Sequence, residues 1–279
     1  MRIGAHVPTR GRLASAVGFA ADLGCEAFQL FVSNPRAWAP PSVSADAARE
    51  FRARLIESGL GPAYVHTSYL VNIASPDPQF LRRSIDLARR ELESAEAIGA
   101  DGLVVHAGAG GAGERGAAVQ RAVRAIQAIA GSTGGPPEVL LELTAGGTGT
   151  VASTLSEAAE LLTAVGTGHC VALCLDTCHL FAAGYGLDTP EGVAGAMDEL
   201  RSLRLTRRLR LVHANDSRFP RGSRRDRHQH VGQGFIGEAG IRRVLNDPAV
   251  RRGSVLVETP GTLEDHRRNV AALRRLASV

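Results

Sequence analysis

Eight short apolar runs alternate with eight amphipathic stretches along this chain, and this alternation limits the possible folds more than any other feature. The apolar runs have the length of strands and cover residues 3–7, 27–32, 63–66, 103–106, 139–142, 171–176, 209–213 and 255–258. The stretches between them have helical periodicity and include residues 14–23, 46–57, 79–98, 117–129, 154–164, 190–200, 238–245 and 263–276. Eight strands, each followed by a helix, predict an α/β protein with a single (β/α)8 TIM barrel domain over residues 1–279. A doubly wound sheet stays possible, because periodicity does not show whether the sheet closes.

The length and the N-terminus are those expected of a protein without membrane segments. The 279 residues are enough to bury the core of one barrel. The opening "MRIGAHV" indicates a strand rather than a signal peptide, and no apolar run approaches the roughly 20 residues that span a bilayer. We therefore expect a soluble, cytoplasmic protein with no membrane partner.

The positive charge of the chain is carried by arginine alone. The formal net charge is +4, the sequence contains no lysine, and this composition makes the basic pI a weak sign of nucleic-acid binding. The local cluster "SRFPRGSRRDRH" is a stronger sign, because guanidinium groups form forked hydrogen bonds with phosphate oxygens. It lies in a segment, residues 217–237, that is too long for an ordinary βα loop, which indicates a functional loop. A solvated basic loop is the alternative.

Three of the four cysteines have a spacing that is also found in iron–sulfur proteins. Cys170, Cys174 and Cys178 are spaced C-x3-C-x3-C, and Cys25 is the fourth. Cys174 lies inside the apolar strand "VALCLD", however, so the three thiols are spread along an extended segment and do not converge. We expect buried free thiols and no disulfide.

Six consecutive predicted strands end in an imidazole or a carboxylate, namely His66, His106, Glu142, Asp176, His213 and Glu258. In a closed parallel barrel these ends meet at the C-terminal rim, where barrel active sites lie. A lone polar residue at a strand end is more often a satisfied core group. Six in register would be costly to bury unless cations balanced the carboxylates.

Two loops add residues of the same chemistry. "DTCH" places His179 three residues after Asp176, and "DRH" places Asp226 and His228 two residues apart in the basic loop. Imidazole and carboxylate are ligands of Zn²⁺ and of neighbouring ions such as Mn²⁺ or Fe²⁺. Nine ligands are too many for one ion and suit two or three. His6 is a candidate for contact with the ligands, whereas His169, His230 and His266 are expected on the surface or in packing.

A group of metal ions at a basic barrel mouth suits phosphoryl chemistry, because paired ions activate water and stabilise the attacking and leaving oxygens. The sequence "TSYL" follows His66 and offers Tyr69 and Leu70, which are side chains that wedge into a base stack at a distorted site. Ordinary loop packing of the two residues is the alternative.

One glycine-rich loop has the spacing of a dinucleotide-binding turn. "LVVHAGAGGAG" contains Gly108, Gly110 and Gly113 as G-x-G-x-x-G after a strand. That fingerprint needs an acidic residue about 20 positions further on, and residues 115–137 contain neither Asp nor Glu. We therefore predict no nucleotide cofactor, a flexible loop at the barrel mouth and a chemical role for His106.

Long motifs of this chain closely resemble the endonuclease IV family of apurinic/apyrimidinic (AP) endonucleases. They are "VHTSYLVNIASPD", "ELTAGGTGT", "LCLDTCHLFAAGYGL" and "HANDSRFPRGSRRDRHQHVGQGFIG", with "GAHV" and "VETP" near the two ends. The resemblance covers nearly the whole chain. It implies a TIM barrel and a DNA-repair hydrolase that cuts duplex DNA 5′ to an abasic site, leaving a 3′-hydroxyl and a 5′-deoxyribose phosphate, with 3′-end trimming as a further activity. A monomer associated with the nucleoid is the corresponding expectation.

The resemblance also implies three Zn²⁺ ions and a role for each ligand position. His66 and His106 would hold one ion, and Glu142 would bridge it to a second ion and serve as the catalytic carboxylate. Asp176, His213 and Glu258 would complete the second site, and His179, Asp226 and His228 would form the third. In the family mechanism a metal-bound hydroxide attacks phosphorus while three ions share the phosphate charge. Arg36, Tyr69 and Leu70 match positions that contact DNA and hold the abasic nucleotide out of the duplex.

The chain departs from the family pattern at positions beside the ligands. Leu143 replaces a common Asn after the bridging glutamate, which removes an amide near the metals. Arg218 stands where Lys is common, and the loop after His106 is richer in glycine.

Two alternatives remain for the function. A sugar isomerase or epimerase of the xylose isomerase-like type would use Glu142, Asp176, His213 and Glu258 for one ion, but it leaves the other five ligand positions and the basic loop unexplained. A noncatalytic damaged-DNA-binding protein does not need a filled ligand set.

Overall fold

The alternating apolar and amphipathic segments close into a barrel in a computed structural model of the chain, which describes residues 1–133 and 136–277. The strands are β1 (Arg2–His6), β2 (Ala27–Leu30), β3 (Ala63–His66), β4 (Gly102–His106), β5 (Glu138–Glu142), β6 (Val171–Asp176), β7 (Leu209–His213), β8 (Asp216–Ser217), β9 (His228–Gln229) and β10 (Ser254–Val257). Strands β1 to β7 and β10 form a closed parallel sheet in chain order, and β1 pairs with β10 to complete it. The predicted TIM barrel is confirmed, and a doubly wound open sheet is excluded.

Helices follow the barrel strands and cover the outside of the sheet. They are α1 (Ser15–Asp22), α2 (Ala45–Ser58), α3 (Pro78–Ile98), α4 (Arg115–Ala130), α5 (Leu155–Val165), α6 (Thr177–Ala183), α7 (Pro190–Ser202), α8 (Gly237–Leu245) and α9 (Leu263–Ala277). Within the described residues, no helix combines the length and the apolar content that a membrane crossing would need.

Local signals in the sequence account for the ends of several helices. Helix α3 begins where the Asp77 carboxylate accepts hydrogen bonds from the first free N–H groups, and it ends at Gly99 in the left-handed conformation. Helix α5 begins with a capping box of Thr154 and Glu157.

Two layers of side chains fill the interior of the barrel. The lower layer is apolar and consists of Ala27, Tyr64, Val104, Leu140, Ala172, Cys174, Leu211 and Leu256. Side chains of a strand alternate between its faces, so the residue two positions further on also points inwards. Those next positions include Gln29, His66, His106, Glu142, Asp176, His213 and Glu258. The same alternation that builds the lower, apolar layer therefore places a polar layer directly above it, at the mouth of the barrel.

Three details differ from the sequence-based expectations. Helix α6 was not predicted, because it follows β6 without an intervening turn: Asp176 is both the last strand residue and the helix N-cap. Strands β8 and β9 form a short antiparallel pair inside the long basic loop. Strand β10 ends at Val257, so Glu258 is the first residue after the strand.

Candidate metal centre

The first cluster at the mouth joins the ends of β3, β4 and β5. The Nε2 atoms of His66 and His106 lie 3.2 Å and 3.1 Å from the same carboxylate oxygen of Glu142. In the barrel register His106 lies directly opposite Glu142 on the neighbouring strand. The donor atoms of these three residues are close enough together to hold one ion.

The second cluster lies deeper and shares Glu142 with the first. His213 Nδ1 lies 3.0 Å from the other carboxylate oxygen of Glu142 and 3.3 Å from Glu258. Asp176, which is opposite His213 on β6, completes a group of four donors. Glu142 thus has one oxygen in each of two neighbouring groups, which is the arrangement of a bridging ligand.

The third cluster joins helix α6 to the long loop. The Nε2 atoms of His179 and His228 lie 3.2 Å from different oxygens of Asp226, and His228 Nε2 also lies 3.4 Å from Asp176. Both nitrogens are buried and lack a hydrogen-bond partner of correct geometry among the described residues. A buried polar atom without a partner is unfavourable by about 1–3 kcal/mol. Buried nitrogens of this kind beside a carboxylate have the chemistry of ligands to a cation.

Backbone carbonyls determine which imidazole nitrogen faces the centre. The Nδ1 atoms of His66, His179 and His228 lie 2.8, 2.8 and 3.1 Å from the carbonyl oxygens of Thr67, Leu143 and Glu258, respectively. A carbonyl only accepts, so each Nδ1 carries a proton, and in the neutral imidazole Nε2 has the lone pair that can bind a metal ion. Neutral imidazole and carboxylate oxygens are the ligand set of Zn²⁺. The residues present therefore fit a zinc cluster.

The Leu143 departure leaves this orientation intact. Its side chain is fully buried, and its backbone oxygen, not its side chain, accepts the hydrogen bond from His179. An amide at this position is therefore not required to orient that imidazole.

Charges in the inner clusters stabilise one another against burial. Desolvation raises the pKa of Glu142, but His213 and His106 outweigh it and hold that pKa well below its usual range. Burial likewise lowers the pKa of His213, but the carboxylates of Glu258 and Glu142 outweigh it and raise that pKa well above its usual value. Imidazolium protons supply positive charge that these carboxylates need, and a divalent cation would replace those protons.

In the third cluster, too, opposite charges offset the cost of burial. Burial opposes the charged form of His228, yet Asp176 and Asp226 raise its pKa to about 9. The same two carboxylates raise the pKa of His179 well above its usual value. The pKa of Asp226 is lowered, because the two imidazoles outweigh its desolvation.

Gln29 is a residue of this centre that the sequence analysis missed. It is fully buried on β2, and its side-chain oxygen accepts a hydrogen bond from His213 Nε2 at 3.0 Å. Its amide nitrogen donates to Glu258 and lies 2.9 Å from His6 Nδ1. One amide therefore orients two members of the second cluster. The available signal was its position, two residues after the inward-facing Ala27.

Asn215 is a second missed residue. Its amide nitrogen donates to Asp176 at 2.6 Å, and its side-chain oxygen accepts from the backbone N–H of Glu258 at 2.8 Å. His6, which was expected to contact the ligands, lies 3.4 Å from Glu258. These neighbours fix the carboxylates of the second cluster from below and from the side.

The long basic loop is anchored by a buried carboxylate. Asp216 accepts hydrogen bonds from the backbone N–H groups of Ser217, Gly234, Ile236 and Gly237. These contacts tie the two ends of the loop together and leave its middle, with Asp226 and His228, over the centre. The prediction of a functional loop is consistent with this position.

Above the metal centre the mouth opens into a cavity of about 1350 Å³. Its lining includes Arg36, Tyr69, Arg218 and Arg227 together with ligand residues of all three clusters. Arg36 is exposed and the Tyr69 side chain is 60% exposed, whereas Leu70 is half-buried. A basic and aromatic rim around a polar floor suits a polyanionic ligand with flat groups.

The glycine-rich loop is more firmly held than its composition suggests. The Asn72 side-chain oxygen accepts from Ala109 N–H at 3.0 Å, and its amide donates to Ala109 O at 2.9 Å. Gly108 has φ +79°, and a Cβ there would lie 2.5 Å from the Asn72 oxygen, so glycine is needed for this contact. Gly110 N–H also donates to Gly149 O at 2.7 Å. The start of the loop is therefore held by hydrogen bonds, and His106, just before it, lies 3.1 Å from Glu142 in the first cluster.

The cysteines follow the expectation in part. All four are free, and Cys25, Cys174 and Cys178 are buried, but Cys170 is exposed at the start of β6. Cys174 Sγ lies 3.7 Å from His213 Nδ1, directly beneath the second cluster. Burial raises its pKa to about 12, so the thiol stays protonated.

Comparisons with known proteins agree with this geometry. The family model described as a xylose isomerase-like TIM barrel matches residues 17–276. A probable endonuclease 4 of Nitratidesulfovibrio vulgaris (strain DP4) is 40% identical over 278 residues, which is 98% of each chain. The crystal structure of endonuclease IV from Thermus thermophilus is 34% identical, with a TM-score of 0.88, and the match covers 99% of this chain and 98% of that one.

More distant structures share only the barrel. A 3-keto-D-glucoside 4-epimerase from E. coli has a TM-score of 0.71 over 99% of both chains, at 17% identity. At that identity the likeness shows the fold alone.

Proposed function

Because this chain belongs to the endonuclease IV family of DNA-repair nucleases, within the xylose isomerase-like TIM barrels, we propose that it hydrolyses the phosphodiester 5′ to abasic sites in duplex DNA. The products are a 3′-hydroxyl and a 5′-deoxyribose phosphate. The chain acts as a monomer at the nucleoid, with residues 1–279 as one domain, and also trims blocked 3′ ends.

The observation that carries this proposal is the arrangement of donors at the mouth. Three groups of imidazole and carboxylate donors share one cavity, and neighbouring groups are linked through Glu142 and Asp176. A single-ion site would need four of these residues. The full set suits three Zn²⁺ ions, with Mn²⁺ or Fe²⁺ as substitutes at some positions.

The ligand assignment follows the clusters. His66, His106 and Glu142 hold the first ion, and Glu142, Asp176, His213 and Glu258 hold the second. His179, Asp226 and His228 hold the third. Bound zinc supplies Lewis acidity, which lowers the pKa of a coordinated water and neutralises charge on a phosphate.

Glu142 is the catalytic carboxylate of this proposal. Its two oxygens face different clusters, so it would serve as a ligand to both the first and the second ion. Gln29 and Asn215 keep the other carboxylates of the second cluster in place while the charge on the substrate changes.

The rim of the cavity binds the DNA. Arg36, Arg218 and Arg227 contact phosphate oxygens, and the exposed Tyr69 ring, with Leu70 beside it, enters the base stack at the lesion. An abasic nucleotide has lost its base pair and stacking, so it leaves the duplex at lower cost than an intact one. The recessed metal centre then receives only a nucleotide that has left the stack.

Metal analysis combined with a cleavage assay tests the proposal. We expect about three zinc ions per chain, one for each donor group, and a single cut 5′ to the lesion in a duplex that carries one abasic analogue. The matched control is the same duplex without the lesion, which should stay intact.

The alternatives give different results in the same experiment. One metal ion per chain with no incision would favour a sugar isomerase or epimerase that uses Glu142, Asp176, His213 and Glu258. Three ions and tight lesion binding without a cut would favour a noncatalytic damaged-DNA-binding protein.

A further inference from the structure

Glu91 is a buried carboxyl group outside the metal centre, and no ligand contact explains it. It lies in the middle of α3 and is fully enclosed. Among the described residues it forms no ion pair with arginine or histidine, and its hydrogen-bond donors are Ser33 and Ser68. A carboxyl without a cation is expensive to bury, so its partners must account for its presence.

Those partners belong to the two loops that carry the proposed DNA contacts. Ser33 Oγ–H donates to Glu91 at 2.7 Å from the loop after β2, which also carries Arg36. Ser68 N–H donates to the two Glu91 oxygens at 3.2 and 3.3 Å from the loop after β3, next to Tyr69. A single carboxyl thus holds both loops against the helix behind them.

The two loops are also bound to each other at Pro35. Its carbonyl oxygen accepts from Ser68 Oγ–H at 2.9 Å and from Tyr69 N–H at 3.0 Å. The Tyr69 ring packs edge-on against Phe31, with centroids 5.2 Å apart. These contacts place the exposed Tyr69 ring and Arg36 on one supported surface, and Glu91 is its buried anchor.

We propose that Glu91 is a positioning residue that holds the loops of Arg36 and Tyr69 in one fixed arrangement before DNA binds. This inference rests on the proposed function. Side chains that are ordered before binding do not lose conformational freedom in the complex, and that loss otherwise weakens binding. Glu91 touches neither DNA nor metal in this role, so it should affect lesion recognition and leave the chemical step unchanged.

Glu91→Leu is the main test, because leucine fills the space and accepts no hydrogen bond. We expect KM for the abasic duplex to rise roughly tenfold while kcat stays within about twofold. The preference for abasic over intact duplex in competition binding should fall by a similar factor. Metal content should be unchanged. Glu91→Gln keeps one acceptor oxygen and should recover most of the loss.

Glu93→Gln is the matched control, since Glu93 is exposed on the same helix. It makes the same side-chain change as Glu91→Gln and should change neither KM nor lesion preference. A Glu91→Leu protein that keeps the wild-type KM and lesion preference would overturn the inference. So would a fall in kcat and melting temperature at constant KM, because that is the result of a purely structural role.

Smaller changes keep the inference testable if Glu91→Leu does not fold. Ser33→Ala removes one of the contacts to Glu91, and Ser68→Ala removes the contact to Pro35. Each should raise KM by roughly threefold, and the double variant by roughly tenfold; an unchanged KM in the double variant would contradict the inference. If the wild-type chain itself neither prefers nor cuts the abasic duplex, the proposed function fails, which is distinct from failure of the inference alone.

Discussion

Glu142 and Glu91 are both fully enclosed, yet their surroundings drive their carboxyl groups in opposite directions. Burial raises the pKa of each group. At the barrel mouth, His213 and His106 reverse that effect for Glu142. Behind the rim loops, the donors to Glu91 among the described residues are a serine hydroxyl and a backbone N–H, and its pKa is raised to about 7. The difference teaches that the charged neighbours, and not the depth of burial, separate a cation ligand from a structural anchor.

Replacing the charged member of the pair should have the largest effect. Glu142→Gln removes the negative charge and replaces one of the two oxygens that face the first and second clusters, so turnover should fall by at least about a thousandfold. Binding to a duplex with an abasic analogue should stay measurable, because the rim is unchanged. Single-turnover cleavage and a binding titration check the two parts.

Glu138→Gln is the control for this change. Glu138 lies at the other end of the same strand, where it pairs with Arg210 at 2.7 Å. Its replacement should leave turnover within about twofold of the wild-type value. Retained turnover in Glu142→Gln would refute the central role of that carboxylate.

The contribution of Glu91 to the stability of the fold should depend on pH. The folded-state pKa of Glu91 is raised above the ordinary value of 4.5 to about 7. Its contribution to stability is therefore complete below about pH 4.5 and is lost as the pH rises through about 7. A tenfold change in proton affinity corresponds to about 1.4 kcal/mol, so the loss is on the order of 3 kcal/mol.

Urea unfolding of wild type and Glu91→Gln at pH 5 and pH 8 measures this contribution. The difference between the two proteins cancels other titrating groups, and it should move in favour of Glu91→Gln at the higher pH. A difference independent of pH would show that Glu91 has the same protonation in the folded and unfolded states.

Gln29 tests how much an uncharged side chain contributes to holding the charged residues of the second cluster in place. Gln29→Leu removes the hydrogen bonds to His213 and Glu258, and we expect metal affinity to fall about 10–100-fold at one site of three. Competition with a chromophoric chelator measures this without relying on activity. Gln120→Leu, on the exposed face of α4, should leave the affinity unchanged.

Tyr69 tests the surface that Glu91 supports, and its effect should be the smallest. Tyr69→Ala removes one aromatic ring from the rim, so the preference for abasic over intact duplex should fall about tenfold or less. Competition binding measures the ratio. Ile56→Ala removes a side chain that is 81% exposed on α2 and should not change it. An unchanged ratio for Tyr69→Ala would exclude the wedge role.

The residues at the predicted strand ends lie close together in the structure, and two rules of β-structure explain why. Side chains alternate along a strand, and parallel strands of a barrel all end at one rim. Strand position alone therefore places these side chains at the mouth of the barrel: His66, His106, Glu142, Asp176 and His213. The loop residues Asp226 and His228 lie on a segment without periodicity, and their place over the centre depends on the distant anchor Asp216.

The supporting residues were missed for a different physical reason. The amphipathic pattern of α3 places Glu91 on the same face as Leu87 and Ala88, so its inward direction could be read from the sequence. Its partners could not, because Ser33 and Ser68 meet it only after three elements have packed. Cys170 shows the opposite error: it was expected to be a buried thiol beside the apolar strand, but the chain reaches the surface there before β6 begins.

The pairing of β1 with β10 has a consequence for the order of synthesis. Arg2 and Ser254 are neighbours in the closed sheet although more than two hundred residues separate them in the chain. Ribosomes deliver the N-terminal strand first, at about 5–20 residues per second, so β1 waits on the order of ten to fifty seconds for its partner. Glu258 arrives with that last strand. A nascent chain therefore holds an incomplete ligand set, and the capacity to cut DNA emerges only when the barrel can close.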